Sequence, residues 1–142
     1  MAVLGRLNEA ASLIARERLA PLFARFGLQP GEFDVLATLR RSGSPYALTP
    51  TALYEATMVT SGAMTNRLDR LETSGLILRA PHPNDRRGLV VRLTEKGLAL
   101  IDEAVSAHVA NEHAVLSGLT RAEQETLARL LKKLIAGLQT AA

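Results

Sequence analysis

Asp85, Arg86 and Arg87 stand in a row immediately after Pro83 and Asn84. Two adjacent guanidinium groups on a turn are either solvent decoration or meant to touch something negative. They are fixed positive charges with planar donor forks, suited to a negatively charged surface. The chain around them supports that reading. Residues 60–97 hold seven basic residues, Arg67, Arg70, Arg79, Arg86, Arg87, Arg92 and Lys96, against the acids Asp69, Glu72, Asp85 and Glu95. This window nets +3, and the remainder of the 142 residues, with ten charges of each sign, nets zero. A basic excess confined to one stretch points to a polyanionic partner.

Other chemistry is poorly supplied. The absence of cysteine excludes disulfides, thiolate metal sites and thiol nucleophiles, and is compatible with a reducing cytosol. There is no Gly-rich phosphate loop, no H-E-x-x-H and no G-x-S-x-G. Ser61 lies beside Gly62 but has no evident His/Asp partner. His108 and Glu112 are spaced i, i+4, whereas His113 lies about 140° around the helix from His108, so one helix cannot bring all three to a metal. They read as solvated or interface polar residues. The expectation is a protein that is not an enzyme and carries no metal or cofactor. Arg6 and Glu9 in the first turns argue against a signal peptide, and no apolar run approaches a membrane span. A cytoplasmic protein with no membrane partner is expected.

The elements that must position these residues follow from periodicity. Leu4, Leu7, Ala11, Ile14, Leu19, Leu22 and Phe26 give a helix over 3–26, interrupted at Pro21 and stopped at Gly27. A second helix runs from near Pro30 to Gly43 with Phe33, Leu36 and Leu39 inward. Thr49 and Pro50 open a short helix over 50–57. A further helix over 60–73 turns Met64, Leu68 and Leu71 inward. Its other side shows Gly62, Ala63, Asn66, Asp69 and Arg70, with Ser61, Thr65 and Arg67 on the flanks. Leu76–Pro81 and Leu89–Thr94 read as an antiparallel ribbon around the Pro/Asn/Asp turn. Thr94 caps a helix to about Ser117, with Leu98, Ile101, Val105 and Val109 as its inward face. Thr120 and Glu123 form a capping box before a last helix bearing Leu127, Leu130, Leu131, Leu134 and Leu138.

Two short helices at a tight connection, followed at once by a hairpin, describe a winged helix-turn-helix. The fold class expected is mainly α with a small antiparallel β-hairpin wing. Residues 31–94 form the DNA-binding lobe, and residues 1–30 and 95–142 form N- and C-terminal dimerisation helices. The apolar stripes of the end helices exceed what so small a core needs, which suits a homodimer on two-fold DNA. The second helix of the motif fits the ~12 Å major groove. Ser61, Ala63, Thr65 and Asn66 are candidates to approach base edges, and Arg67 and Arg70 to clamp phosphates. Arg70 has the alternative of pairing with Glu55 or Asp69. Thr49 and Thr51 stand at a helix N-terminus that can take a phosphate, with plain capping as the alternative.

The stretch "HPNDRRGLVVRLTEKG" carries the pattern D-x-R, a few residues, then L-T-x-x-G, at Asp85, Arg87, Leu93, Thr94 and Gly97. With "TSGAMTNRLDRLETSGLILR" before it, the chain resembles the MarR family of bacterial transcriptional regulators over essentially its full length. The resemblance implies a homodimeric regulator, usually a repressor, that binds pseudo-palindromic double-stranded DNA. It implies that Arg86 contacts the minor groove or phosphates and that Arg87 pairs with Asp85 as the wing brace. It also implies a small, often phenolic or aromatic, effector in a cleft, for which Phe23, Phe26, Phe33, Tyr46 and Tyr54 are the candidates, Tyr46 foremost, with core packing as the alternative for each. A winged helix used only for protein interaction is the competing reading.

Overall fold

Pro21 decides the shape of the N-terminal helix. A proline has no N–H to give and its ring collides with the carbonyl four residues back. In the computed structural model, which describes residues 2–57 and 61–140 and only the main chain of Ser61, α1 (Ala2–Leu13) is followed by a π-helical segment over Ile14–Leu19. The Ala20 N–H there reaches back to the Ala15 carbonyl. The widened turn absorbs the proline, and α2 (Ala20–Arg25) restarts with Pro21 in its first turn, where no donor is needed. The expected interruption is thus a change of helix type. Gly27, at φ +72°, ends α2, and the Leu28 N–H closes back onto the Phe23 carbonyl at 3.0 Å.

Helix α3 (Glu32–Arg41) is followed by a two-residue strand β1 (Ala47–Leu48), then α4 (Pro50–Thr57) and α5 (Ser61–Thr73). Strands β2 (Ile77–His82) and β3 (Asp85–Leu93) form the hairpin, and β1 joins it to make a three-stranded antiparallel sheet in the order β1-β3-β2. Ala47 pairs with Arg92 and Leu48 with Val91. Two residues carry no readable alternation, so β1 has no sequence signal; it exists because the turn through Tyr46 lays the chain against β3. β3 also starts four residues before the expected Leu89, because the ladder closes at His82 and Asp85 and takes both arginines into the strand.

The core gathers one face from each element. Met64, Leu68 and Leu71 of α5 are buried together with Leu36 and Leu39 of α3, Leu53 of α4, Ile77 and Val91 of the sheet, and Leu22 and Phe23 of α2. Ile101 and Ala104 of α6 (Glu95–Val115) close it. The expected inward face of α6 is corrected at one position. Val109 is 45% exposed, and the buried residues are Gly97, Ile101 and Ala104.

The chain forms two compact units, Met1–His108 and Val109–Ala142, with α6 running through the junction. In the second unit, α7 (Arg121–Thr140) starts on a reciprocal capping box. The Thr120 N–H donates to Glu123 Oε1 at 2.9 Å, and the Glu123 N–H donates to Thr120 Oγ1 at 3.1 Å. No residue of α7 is buried, and Leu127, Leu130, Leu134, Ile135 and Leu138 are exposed on it.

Candidate nucleic-acid interface

The site is built on α4, α5 and the hairpin. Thr49 Oγ1 accepts the Ala52 N–H at 3.2 Å, so the hydroxyl caps α4, and Thr51 beside it is exposed. The connection between α4 and α5, residues 58–60, and the Ser61 side chain lie outside the described residues. Along α5 the apolar i, i+4, i+7 positions are taken by the core. What remains outward is Gly62, Thr65, Asn66, Asp69 and Arg70, with Ala63 half-buried. The outward face at the start of the helix is therefore short and polar, and a surface can come close to the helix axis there.

The basic residues sort into committed and uncommitted ones. Arg70 Nε donates to Glu32 Oε2 at 3.0 Å, a carboxylate with only 2% exposure. The acidic partner is neither of the two weighed from sequence. Arg67 lies against Gly31, where a Cβ would fall 2.4 Å from its Cζ, so the guanidinium is packed onto the main chain of the α2–α3 connection. Arg79 of β2 donates to Asp69 at 2.6 Å and to Glu72 at 2.8 Å, and its N–H reaches Glu72 Oε2 at 3.0 Å. Hydrogen bonding to Arg79 holds the Glu72 carboxyl below its ordinary value, and the same bonds, first to Glu72 and then to Asp69, raise Arg79. This cluster ties the base of the wing to α5. The sequence offers no spacing rule that would have paired a strand arginine with acids seven and ten residues earlier. Lys96 Nζ donates to the Ser74 carbonyl at 2.9 Å.

Arg86, Arg87 and Arg92 make no side-chain hydrogen bond or ion pair among the described residues, and all three are exposed. The turn that presents the first two is internally tied. Asp85 Oδ1 accepts the main-chain N–H of Arg87 at 2.9 Å, and His82 Nδ1 accepts the Asn84 N–H at 3.0 Å. Asp85 therefore engages the backbone of Arg87 rather than its guanidinium, which leaves both arginine heads outward. Behind the wing, Thr94 Oγ1 donates to the Gly75 carbonyl at 2.6 Å and accepts the Gly97 N–H at 3.0 Å. A Cβ on Gly97 would sit 2.0 Å from the Leu76 carbonyl oxygen. The L-T-x-x-G residues are thus one joint: Leu93 is buried, Thr94 links turn and helix cap, and Gly97 lets α6 touch the start of β2.

Of the five aromatic candidates for a cleft, only Phe23 and Phe33 share one cavity. Phe33 stacks on Phe23 with ring centroids 4.5 Å apart and lies 5.1 Å from the His108 ring. These three line a cavity of about 370 Å³ together with Leu19, Pro30, Gly31 and Asp34. His108 Nδ1 is buried and has no hydrogen-bond partner among the described residues. Tyr46, at φ +59°, lines a different groove of about 470 Å³ with Arg92 and Leu98. Phe26 lines a third, shallow depression with Leu100, and Tyr54 packs on the core. Phe23 and Phe33, both candidates from sequence, share one cavity, and His108, which was not a candidate, joins them through tertiary packing.

Three comparisons place this architecture. The MarR family model matches residues 26–88. The chain is 43% identical to the HTH-type transcriptional regulator PecS of Dickeya dadantii over 131 residues, covering 92% of this chain and 78% of that protein. Among solved structures it is similar to a mutant MarR from E. coli complexed with operator DNA, with a TM-score of 0.81, 32% identity and 92% of each chain covered. It is also similar to BpsR of Bordetella bronchiseptica, from work on the regulation of that protein's DNA binding by 6-hydroxynicotinic acid, with a TM-score of 0.77, 26% identity, and 94% and 98% covered. With a braced basic hairpin set behind a helix of short polar face, the chain belongs to the MarR family of transcriptional regulators.

Proposed function

We propose that this protein binds double-stranded DNA as a homodimer and represses transcription from a pseudo-palindromic operator in the cytoplasm, acting by binding and not by catalysis. The observation that carries the reading is the pair of uncommitted arginines, Arg86 and Arg87, held outward on a tied hairpin tip while neighbouring cations are occupied with protein partners. The wing enters the minor groove, where negative potential is concentrated. Thr65, Asn66, Ala63 and Ser61 of α5 face base edges in the major groove, with Thr49 and Thr51 near the phosphates. Residues 31–94 read DNA, and residues 1–30 and 95–142 dimerise. In support, α7 exposes Leu127, Leu130, Leu134 and Leu138 at helical spacing, and α1 exposes Val3, Leu4 and Leu7. Two lobes related by a dyad would place their α5 helices about one DNA turn, ~34 Å, apart.

The same reading assigns a small aromatic effector to the cavity of Phe23, Phe33 and His108. Its volume lies near the lower end of small-molecule sites, which run from roughly 300 Å³, and its walls offer flat rings with a few polar groups. The DNA experiment is a salt titration on a duplex selected by the protein from a random pool, beside an unselected duplex. Repressor-type binding predicts log K falling linearly with log salt and a selected duplex bound at least ~1000-fold more tightly. Equal, weak binding to both duplexes is the result expected of a protein-interaction winged helix. For the effector, 6-hydroxynicotinic acid serves as a first aromatic acid probe by analogy with BpsR.

A further inference from the structure

We infer that Arg70 is a positioning residue of the recognition helix, held by Glu32, and not a phosphate contact; the inference rests on the DNA-binding reading above. A carboxylate as buried as that of Glu32 must have its acceptor sites filled. Three donors fill them. The Gln29 N–H reaches Oε1 at 2.6 Å, Arg70 Nε reaches Oε2 at 3.0 Å, and Arg70 Nη2 reaches Oε1 at 3.4 Å. Two of these three come from Arg70, so an arginine that swung away to a phosphate would strand a buried charge. One helical turn earlier, Arg67 packs on Gly31, whose φ of +90° and lack of a Cβ make the room. Helix α5 is thereby fastened at two successive turns to the short segment Gln29–Glu32. Two fastenings one turn apart fix rotation about the helix axis as well as position. With side chains about 5 Å from the axis, a rotation of ~20° moves a side-chain tip by roughly 2 Å, more than a base-edge hydrogen bond tolerates. The Glu32–Arg70 fork sets where Thr65 and Asn66 arrive.

The test uses the full chain and the duplex that the wild type selects from a random pool. The variants are Glu32→Gln, Arg70→Gln, Arg70→Lys and the double Glu32→Gln/Arg70→Gln. The expected result is a loss of about tenfold or more on the selected duplex for each single variant. The double should be no worse than either single, with random-duplex affinity and the salt slope as in wild type. Arg70→Lys should behave like Arg70→Gln, because lysine keeps the charge but not the two-pronged fork. The opposite pattern overturns the inference: Arg70→Gln lowers the salt slope by about one phosphate and weakens both duplexes alike, Arg70→Lys restores binding, and Glu32→Gln binds like wild type. Amide exchange in the same samples gives a reading independent of DNA. Loss of protection confined to α5 is expected, and unchanged α5 protection overturns the clamp even if no duplex is selected. Failure of the wild type to select any duplex sinks the DNA-binding reading separately. If Glu32→Gln does not fold, the half-exposed Arg70 variants decide.

Discussion

Gly97→Ala tests the joint between wing and α6. An alanine Cβ there would lie 2.0 Å from the Leu76 carbonyl oxygen and 2.9 Å from its carbon, both main-chain atoms that cannot swing aside. Relief requires α6 and the start of β2 to separate by about 1 Å, since ordinary contacts begin near 3 Å. The separation strains the bonds that cross the same gap: the Thr94 N–H to the Leu76 carbonyl at 3.1 Å, and the Thr94 hydroxyl to the Gly75 carbonyl. Overpacking of this kind costs about 1–3 kcal/mol, and a weakened hydrogen bond adds roughly 0.5–1.5 kcal/mol. Against this, alanine in place of glycine in a helix returns up to about 1 kcal/mol. The net is a destabilisation of about 2 kcal/mol. For a chain of this length that lowers Tm by roughly 4–10 °C. Urea unfolding of wild type and variant should show a lower midpoint at unchanged slope. A Gly97→Ala protein as stable as wild type, or stabilised as an unencumbered helix glycine would be, would refute the close-approach reasoning.

Arg86→Ala should weaken binding to the selected duplex by about 1–3 kcal/mol and leave Tm unchanged, measured by fluorescence anisotropy and calorimetry; wild-type affinity would remove Arg86 from the interface. Asp85→Ala should reduce the same affinity by releasing the Arg87 N–H, and amide exchange at Arg87 should rise with it. Because hydrogen bonds to Arg79 depress the Glu72 carboxyl, its contribution to holding the wing is present above the unfolded glutamate value and lost as pH falls through the lower folded value. Exchange protection of the Arg79 N–H, corrected for intrinsic rate, should therefore hold from pH 8 to 5 and decline only in the acid range. A decline near pH 6 would contradict the assignment. The proposed homodimer predicts that the wild type sediments as a dimer at micromolar concentration and that Leu130→Glu, on the exposed face of α7, sediments as a monomer; a variant that stays dimeric would move the proposed interface elsewhere, and a monomeric wild type would remove it.

Much of the path to the interface is legible because it depends on local rules. Thr49 and Pro50 start α4, Thr94 starts α6, and the Thr120/Glu123 box starts α7, each through bonds within three residues. Met64, Leu68 and Leu71 identify the inner face of α5 and so, by subtraction, its outer face. The wing is readable from its turn residues and its two apolar runs. Strand β1, the Arg79 cluster and the Glu32–Arg70 fork were not legible, since each joins residues whose separation in sequence obeys no helical or strand period. Val109 kept the right spacing for the inner face of α6 and is exposed all the same.

By itself, then, the sequence determined which segments become helix and hairpin, and that an unbalanced positive charge lies around the wing. Those properties follow from hydrogen bonds and side-chain periodicity within a few residues. Tertiary structure alone decided which cations have protein partners. Arg70 and Arg79 are held by carboxylates from the fold, and Arg67 is laid on Gly31, while Arg86 and Arg87 stay outward because Asp85 binds a main-chain N–H instead of a guanidinium. It also parted Phe26, Tyr46 and Tyr54 from the stacked pair Phe23 and Phe33, and tilted the His108 ring against that pair beside one cavity. Charge is a property of composition; whether a charge is available to a partner depends on what the fold places within 3 Å of it.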